Sequence, residues 1–247
     1  MSEASTHYIR CAELCGGTKS VQTEVCTSVL NAAIQSRAHE GESGGDIYYF
    51  SVCSYDKLTR MVIADLRGHG EEANLLSSWL YRALEERMNS LDGAGVLQEL
   101  NGLVKAKGFS AITTALVATY YRDAGKLYFS YAGHPPMVLR RDGANWNSVP
   151  LVQDAGVANL PLGILEQVRY DQAEVEVQAG DRIALFTDGV VERADANGDL
   201  FGESRLIAAL ERANAMTLTK ARDEVLTEVE NFGEPDDDVT LMLVELR

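Results

Sequence analysis

No stretch of this sequence approaches the roughly 20 consecutive apolar residues that a membrane-crossing helix needs. The longest candidate, Ala111–Tyr121, is too short and includes three threonines. The opening residues, Met-Ser-Glu-Ala-Ser-Thr, have neither the basic nor the apolar region of a secretion signal. Cysteine is scarce: Cys11, Cys15, Cys26 and Cys53 show no Cys-x-x-Cys spacing and are expected to be reduced thiols of a cytoplasmic protein. Positive charge is also in deficit. Lys and Arg number 22 against 37 Asp and Glu, a formal net charge of −15, which argues against a nucleic-acid backbone as the main partner. There is no His-Glu-x-x-His zinc motif and no Gly-Lys-Ser/Thr loop of the Walker type.

What remains is an ordinary globular composition, 46% apolar and 24% charged. At 247 residues the chain can bury a substantial core. With no internal repeat and no long linker, a single domain over 1–247 is expected, residues 1–28 forming an extension or a first strand.

The first 27 residues carry little pattern. Residues 9–14 read as a short strand and Cys15-Gly-Gly as a turn, while 29–37 suits strand or helix. Gly41-Glu-Ser-Gly-Gly45 reads as a loop leading to Asp46. Residues 47–55 and 60–66 read as strands joined by a turn at Tyr55-Asp56-Lys57. A helix should follow from Glu71, its apolar face formed by Leu75, Leu76, Trp79, Leu80, Ala83, Leu84 and Met88. A second spans about 95–105.

Residues 112–121 and 126–131 form a hairpin pattern, Gly133-His-Pro-Pro136 a turn with His134 in a structural role, and 137–140 a strand. Residues 144–168 look like loop. Strands are expected over 170–177, 182–186 and 239–246, with helices over 203–213 and 219–232. Long antiparallel strands with two separated helix pairs point to an α+β fold, not to a doubly wound parallel sheet.

Four aspartates share one context. Asp46 follows two glycines and starts a strand; Asp65 and Asp188 each end an apolar strand; Asp237 lies in an acidic loop before the last strand. Each alone suits an ordinary turn. Together they suit hard divalent cations, which take carboxylate, carbonyl and water oxygens. Two ions roughly 3.5–4 Å apart could make their shared water a nucleophile near neutral pH, which suits displacement at phosphorus.

The motifs Gly44-Gly45-Asp46, Asp65-Leu-Arg-Gly-His-Gly70, Ala132-Gly-His-Pro-Pro136, Leu160-Pro-Leu-Gly-Ile164, Thr187-Asp-Gly189 with Glu192, and Asp237-Asp-Val-Thr240 occur in this order. Their combination resembles the PPM (protein phosphatase 2C-like) family of metal-dependent serine/threonine phosphatases, in its bacterial SpoIIE/RsbU branch, over about residues 29–246. The resemblance implies an α-β-β-α sandwich of two antiparallel sheets flanked by helix pairs. It also implies Mn²⁺- or Mg²⁺-dependent hydrolysis of phosphoserine or phosphothreonine in bacterial signalling, with two ions per site.

By the same resemblance, Asp65 would bridge the ions and the Leu66 carbonyl would ligate one of them. Asp46 would hold that ion directly or through water, and Asp188 and Asp237 would hold the other. The implied substrate is a phosphorylated protein of the kind exemplified by STAS-type anti-sigma-factor antagonists, with no nucleic acid or membrane involved and with a regulatory partner or a homodimer as the source of control. The chain departs from the family at Tyr49, where many relatives have aspartate. It departs again at Arg67, where eukaryotic relatives have the histidine thought to protonate the leaving group. Arg67 suits a substrate-phosphate contact or a plain surface position, and His69 does not stand at that histidine's position, so the general acid stays open. Two other readings compete: a catalytically silent phosphatase-like binding module, and a hydrolase of small phosphate substrates.

Overall fold

The computed structural model describes residues 5–68, 70–87, 91–151 and 158–247. His69 and Met88 lie outside them. The chain begins with β1 (Ser5–Tyr8), β2 (Leu14–Lys19), β3 (Val21–Cys26), β4 (Leu30–Arg37), β5 (Ser43–Cys53) and β6 (Leu58–Leu66). Helices α1 (Glu71–Arg87) and α2 (Gly93–Lys107) follow, then β7 (Thr113–Tyr121), β8 (Lys126–Ala132), β9 (Val138–Arg140), β10 (Trp146–Ser148), β11 (Ala173–Glu176) and β12 (Arg182–Phe186). The chain closes with the short α3 (Asp188–Val191), α4 (Gly202–Arg212), α5 (Leu218–Phe232) and β13 (Val239–Leu246).

Among the described residues these strands form two sheets, in the orders β1-β3-β4-β13-β12-β9-β10 and β11-β8-β7-β6-β5-β2. All pairings are antiparallel except β1 with β3, which is parallel at a sheet edge. Residue alternation shows why the central strands read as unbroken apolar runs. Side chains two apart share a face, and here both faces are covered. In β6, Met61 and Ile63 pack between the sheets, while Val62 and Ala64 pack under α1 and α2. In β13, Met242 and Val244 pack between the sheets, and Leu241 and Leu243 face α4 and α5. The result is the expected α-β-β-α sandwich, with one apolar layer between the sheets and one under each helix pair.

Several boundaries differ from expectation. Cys15-Gly-Gly is no turn but part of β2, paired with Phe50, Tyr49 and Tyr48 of β5. The stretch read as a strand over 9–14 is mostly a turn, with Ala12 at φ 69°. Ser43, Gly44 and Gly45 open β5, since Ser43 pairs with Lys19. Leu75 is 68% exposed on α1, whereas Leu80, Ala83 and Leu84 are buried as expected, together with Ala73 and Ser77. The stretch read as loop over 144–168 includes β10, paired with β9 and anchored by buried Trp146. Residues 152–157 of that stretch lie outside the description. All four cysteines are free, and no helix among the described residues is long and apolar enough to cross a membrane.

Candidate metal centre at one end of the sandwich

Antiparallel pairing brings the aspartates together. The register that sets Ile47 of β5 opposite Ala64 of β6 places Asp46 and Asp65 side by side at one end of their sheet. Asp46 has the parity of Tyr48 and Phe50, and Asp65 that of Met61 and Ile63, so both point between the sheets. In the facing sheet, β12 ends and β13 starts at the same end, joined by Thr187 N–H donating to the Thr240 carbonyl at 3.1 Å. Asp188 and Asp237 flank that junction. All four predicted carboxylates therefore lie at the end of the sandwich where β5 and β13 begin and β6 and β12 end.

Asp46 is held by the facing sheet. Its Oδ2 accepts the Thr187 hydroxyl at 2.9 Å and the Thr240 hydroxyl at 2.6 Å, while its Oδ1 is buried without a partner. Oδ1 of Asp188 is also buried and unpartnered. Burial, then the Asp65 charge, pushes the Asp46 carboxyl well above the ordinary range. Asp65 is raised likewise, by burial and then by Asp188, Asp237, Asp238 and Glu192. Asp188 is raised by burial and then by Glu192, and Asp237 chiefly by burial. These are the shifts of like charges gathered in a desolvated corner. As placed, no three His, Cys, Asp or Glu side chains among the described residues form a group that could hold an ion.

Close backbone approach builds the corner. A Cβ on Gly45 would lie 2.5 Å from the Leu66 carbonyl oxygen, so β5 can run against that carbonyl only with glycine there. A Cβ on Gly189 would overlap the Asp238 carbonyl outright, which is what the glycine after Asp188 avoids. Residues 41–45 also fit the Gly-x-Ser-x-Gly pattern, but Ser43 opens a strand and occupies no strand-to-helix turn, so it forms no nucleophile elbow.

Adjacent Asp237 and Asp238 divide their tasks. Asp238 is buried and accepts the His39 N–H at 2.6 Å and the Gly45 and Asp46 N–H groups. It ties β5 to the loop before β13. Asp237 is partly exposed and electrostatically coupled to Asp65 and Asp188. Sequence reading missed the parts of Asp238, Thr187 and Thr240, although all three lie within the quoted motifs.

The remaining positions are peripheral or structural. Arg67 is exposed just beyond β6, anchored by its N–H to the Ile112 carbonyl at 2.9 Å. Tyr49 points away from the centre into the helix-covered layer, edge-on to Tyr81 with centroids 6.0 Å apart. His134 is buried in its turn, with Nδ1 3.0 Å from the Pro135 carbonyl.

A family model for Stage II sporulation protein E (SpoIIE) matches residues 55–247, more than half of the chain. The chain belongs to the SpoIIE family. Phosphoserine phosphatase RsbU of Bacillus subtilis is 28% identical over 207 residues, which cover 82% of this chain and 59% of RsbU. The solved RsbU and RsbW domains of a Mycobacterium tuberculosis protein superpose with a TM-score of 0.77 at 23% identity, covering 94% of this chain and 63% of that one. RsbX, solved in complex with magnesium, gives a TM-score of 0.67 at 15% identity, covering 92% of this chain and all of its own. At these identities the structural likenesses show a shared fold. This SpoIIE-family chain spans somewhat over half the length of the curated relative RsbU.

Proposed function

We propose that this chain is a phosphoprotein serine/threonine phosphatase dependent on two Mn²⁺ or Mg²⁺ ions. The observation that carries this reading is the pair of buried, unpartnered carboxylate oxygens, Asp46 Oδ1 and Asp188 Oδ1, flanking the charge-coupled Asp65. An unpartnered buried carboxylate oxygen is costly unless something positive meets it. The donor set is all oxygen, which fits a hard cation.

Asp65 would contribute to both ions, Asp46 and the Leu66 carbonyl to one, and Asp188 and Asp237 to the other. Bound there, such ions supply Lewis acidity toward a phosphoryl oxygen and a water ionised near neutral pH. The chain's own residues hold the geometry. Thr187 and Thr240 fix one oxygen of Asp46 and leave the other directed inward. Asp238 clamps the start of β5. Arg67, exposed two residues after Asp65, would offer a fork of N–H donors to the substrate phosphate.

The relatives support the same reading: RsbU is named a phosphoserine phosphatase, and RsbX was solved with magnesium. The substrate is then a phosphorylated signalling protein, for which a STAS-type anti-sigma-factor antagonist is the leading candidate, with control exerted through a partner or a second copy.

The test is hydrolysis of p-nitrophenyl phosphate and of a phosphoserine peptide with Mn²⁺, with chelator, and by Asp188→Asn. Turnover that needs Mn²⁺ and falls at least a hundredfold in Asp188→Asn supports the proposal. No turnover under any metal condition would favour a silent binding module, and turnover surviving both chelation and substitution would remove the metal mechanism.

A further inference from the structure

Beside the carboxylate corner lies a second feature that metal chemistry does not use. A cavity of about 250 Å³ opens between β4, the end of α5 and the loop before β13; its walls include Gln35, Arg37, His39, Arg193, Glu230 and Asp237. Arg193 follows α3 and is only 3% exposed. Its guanidinium has one weak acceptor, the Gly233 carbonyl at 3.3 Å from Nη1, and its Nε is buried with no partner. Among the described residues no carboxylate forms an ion pair with it. Glu230 is taken by Arg37 on the cavity wall, and the other two lining carboxylates, Glu234 and Asp237, make no hydrogen bond to the guanidinium.

A buried guanidinium with no counter-charge is costly, and it normally meets a carboxylate or phosphate through paired N–H groups. The cavity is roomy enough for such a group. We propose that it is an oxyanion subsite centred on Arg193. Because Asp237 lines both this cavity and the proposed reaction centre, an oxyanion seated here lies next to a phosphoserine undergoing hydrolysis. An acidic side chain flanking the phosphoserine is the source that this position favours, and free phosphate, the reaction product, has the same chemistry. The substrate arm of this proposal rests on the phosphatase reading.

Two measurements on the full chain test it. The first titrates inorganic phosphate into the chelator-treated protein by calorimetry, for wild type, Arg193→Gln and Arg193→Lys. The second compares KM with Mn²⁺ for phosphoserine peptides carrying flanking glutamates or flanking glutamines, in the same three proteins, each checked for an unchanged thermal midpoint. A preference for the acidic peptide that falls about tenfold in Arg193→Gln and is partly kept in Arg193→Lys identifies a substrate carboxylate. Phosphate binding that disappears in Arg193→Gln without any peptide preference identifies free phosphate as the occupant. Wild type showing neither phosphate binding nor acidic preference overturns the subsite, as does Arg193→Gln retaining both. If no peptide is hydrolysed by any protein, the phosphatase reading fails, and the phosphate titration still decides the subsite. Should Arg193→Gln fail to fold, Gln35→Glu, which sets a carboxylate in the same wall, must reduce phosphate affinity and acidic preference; if it reduces neither, the subsite is overturned.

Discussion

The Thr240 hydroxyl donates to Asp46 Oδ2 at 2.6 Å, across the gap between the two sheets and from 194 residues further along the chain. This bond ties the start of β5 to the start of β13, the two strand ends on which the carboxylate corner depends. Thr187, which accepts the Thr240 N–H at 3.0 Å, adds the second donor to the same oxygen.

Thr240→Val keeps the shape and removes the donor. Removing one partner from a buried hydrogen-bonded group costs about 1–3 kcal/mol, so a loss of about 2 kcal/mol is expected in urea unfolding of the metal-free chain. Mn²⁺ affinity should fall as well, because Asp46 loses part of its orientation. An unchanged midpoint with unchanged Mn²⁺ affinity would show that Thr187 alone suffices.

Two glycines should respond in opposite directions to alanine. Gly189→Ala forces a Cβ into the Asp238 carbonyl, a backbone atom that cannot swing aside. It should cost more than about 2 kcal/mol and abolish Mn²⁺-dependent activity. Gly102→Ala, on an exposed position of α2 with open space around it, should stabilise by about 0.5–1 kcal/mol. Thermal melts of both variants check the pair.

Burial lowers the His134 pKa to about 4. In the unfolded chain the same imidazole takes its proton near pH 6.5. Between those values the unfolded state binds the extra proton, so this group's contribution to stability falls as pH drops through the interval and levels off below it. The full span is about 3 kcal/mol. The site carboxylates, raised in the fold, act with the opposite sign, so the informative quantity is the difference between wild type and His134→Asn. That difference should shrink from pH 7 to pH 4 in urea unfolding; a difference independent of pH would show that His134 takes up its proton in the fold just as it does in the unfolded chain.

Asp188→Asn should separate stability from ion binding. Removing one charge relieves repulsion with Glu192 and Asp65, so the metal-free protein should melt about 2–4 °C higher, corresponding to about 1 kcal/mol. The rise in melting temperature on adding Mn²⁺ should shrink in the same variant. A metal-free melting temperature below wild type would mean that Asp188 is a structural cap.

The central strands and the positions of the four aspartates at strand ends were legible because both rest on local pattern: apolar runs covered on two faces, and carboxylates at the ends of those runs. Residues 5–26 were not. Their three strands are edge or near-edge elements with polar side chains and two adjacent glycines, Gly16 and Gly17, so hydrophobic periodicity carries little signal there. Leu75 was misassigned because it stands two residues from buried Ala73 and two from buried Ser77, which puts it on the opposite side of the helix. Thr187, Thr240 and Asp238 were visible as motif letters, but the groups of β5 that they hold lie 141–194 residues away. Only the register of two sheets reveals which group each one meets.

The most direct test of the two-ion centre is a calorimetric titration of Mn²⁺ into the metal-free chain and into Asp65→Asn. The expected result is two ions bound per wild-type chain and loss of both in Asp65→Asn, because Asp65 is the residue proposed to contribute to both ions. Wild type that binds no Mn²⁺, or Asp65→Asn that still binds two ions at wild-type affinity, would contradict it.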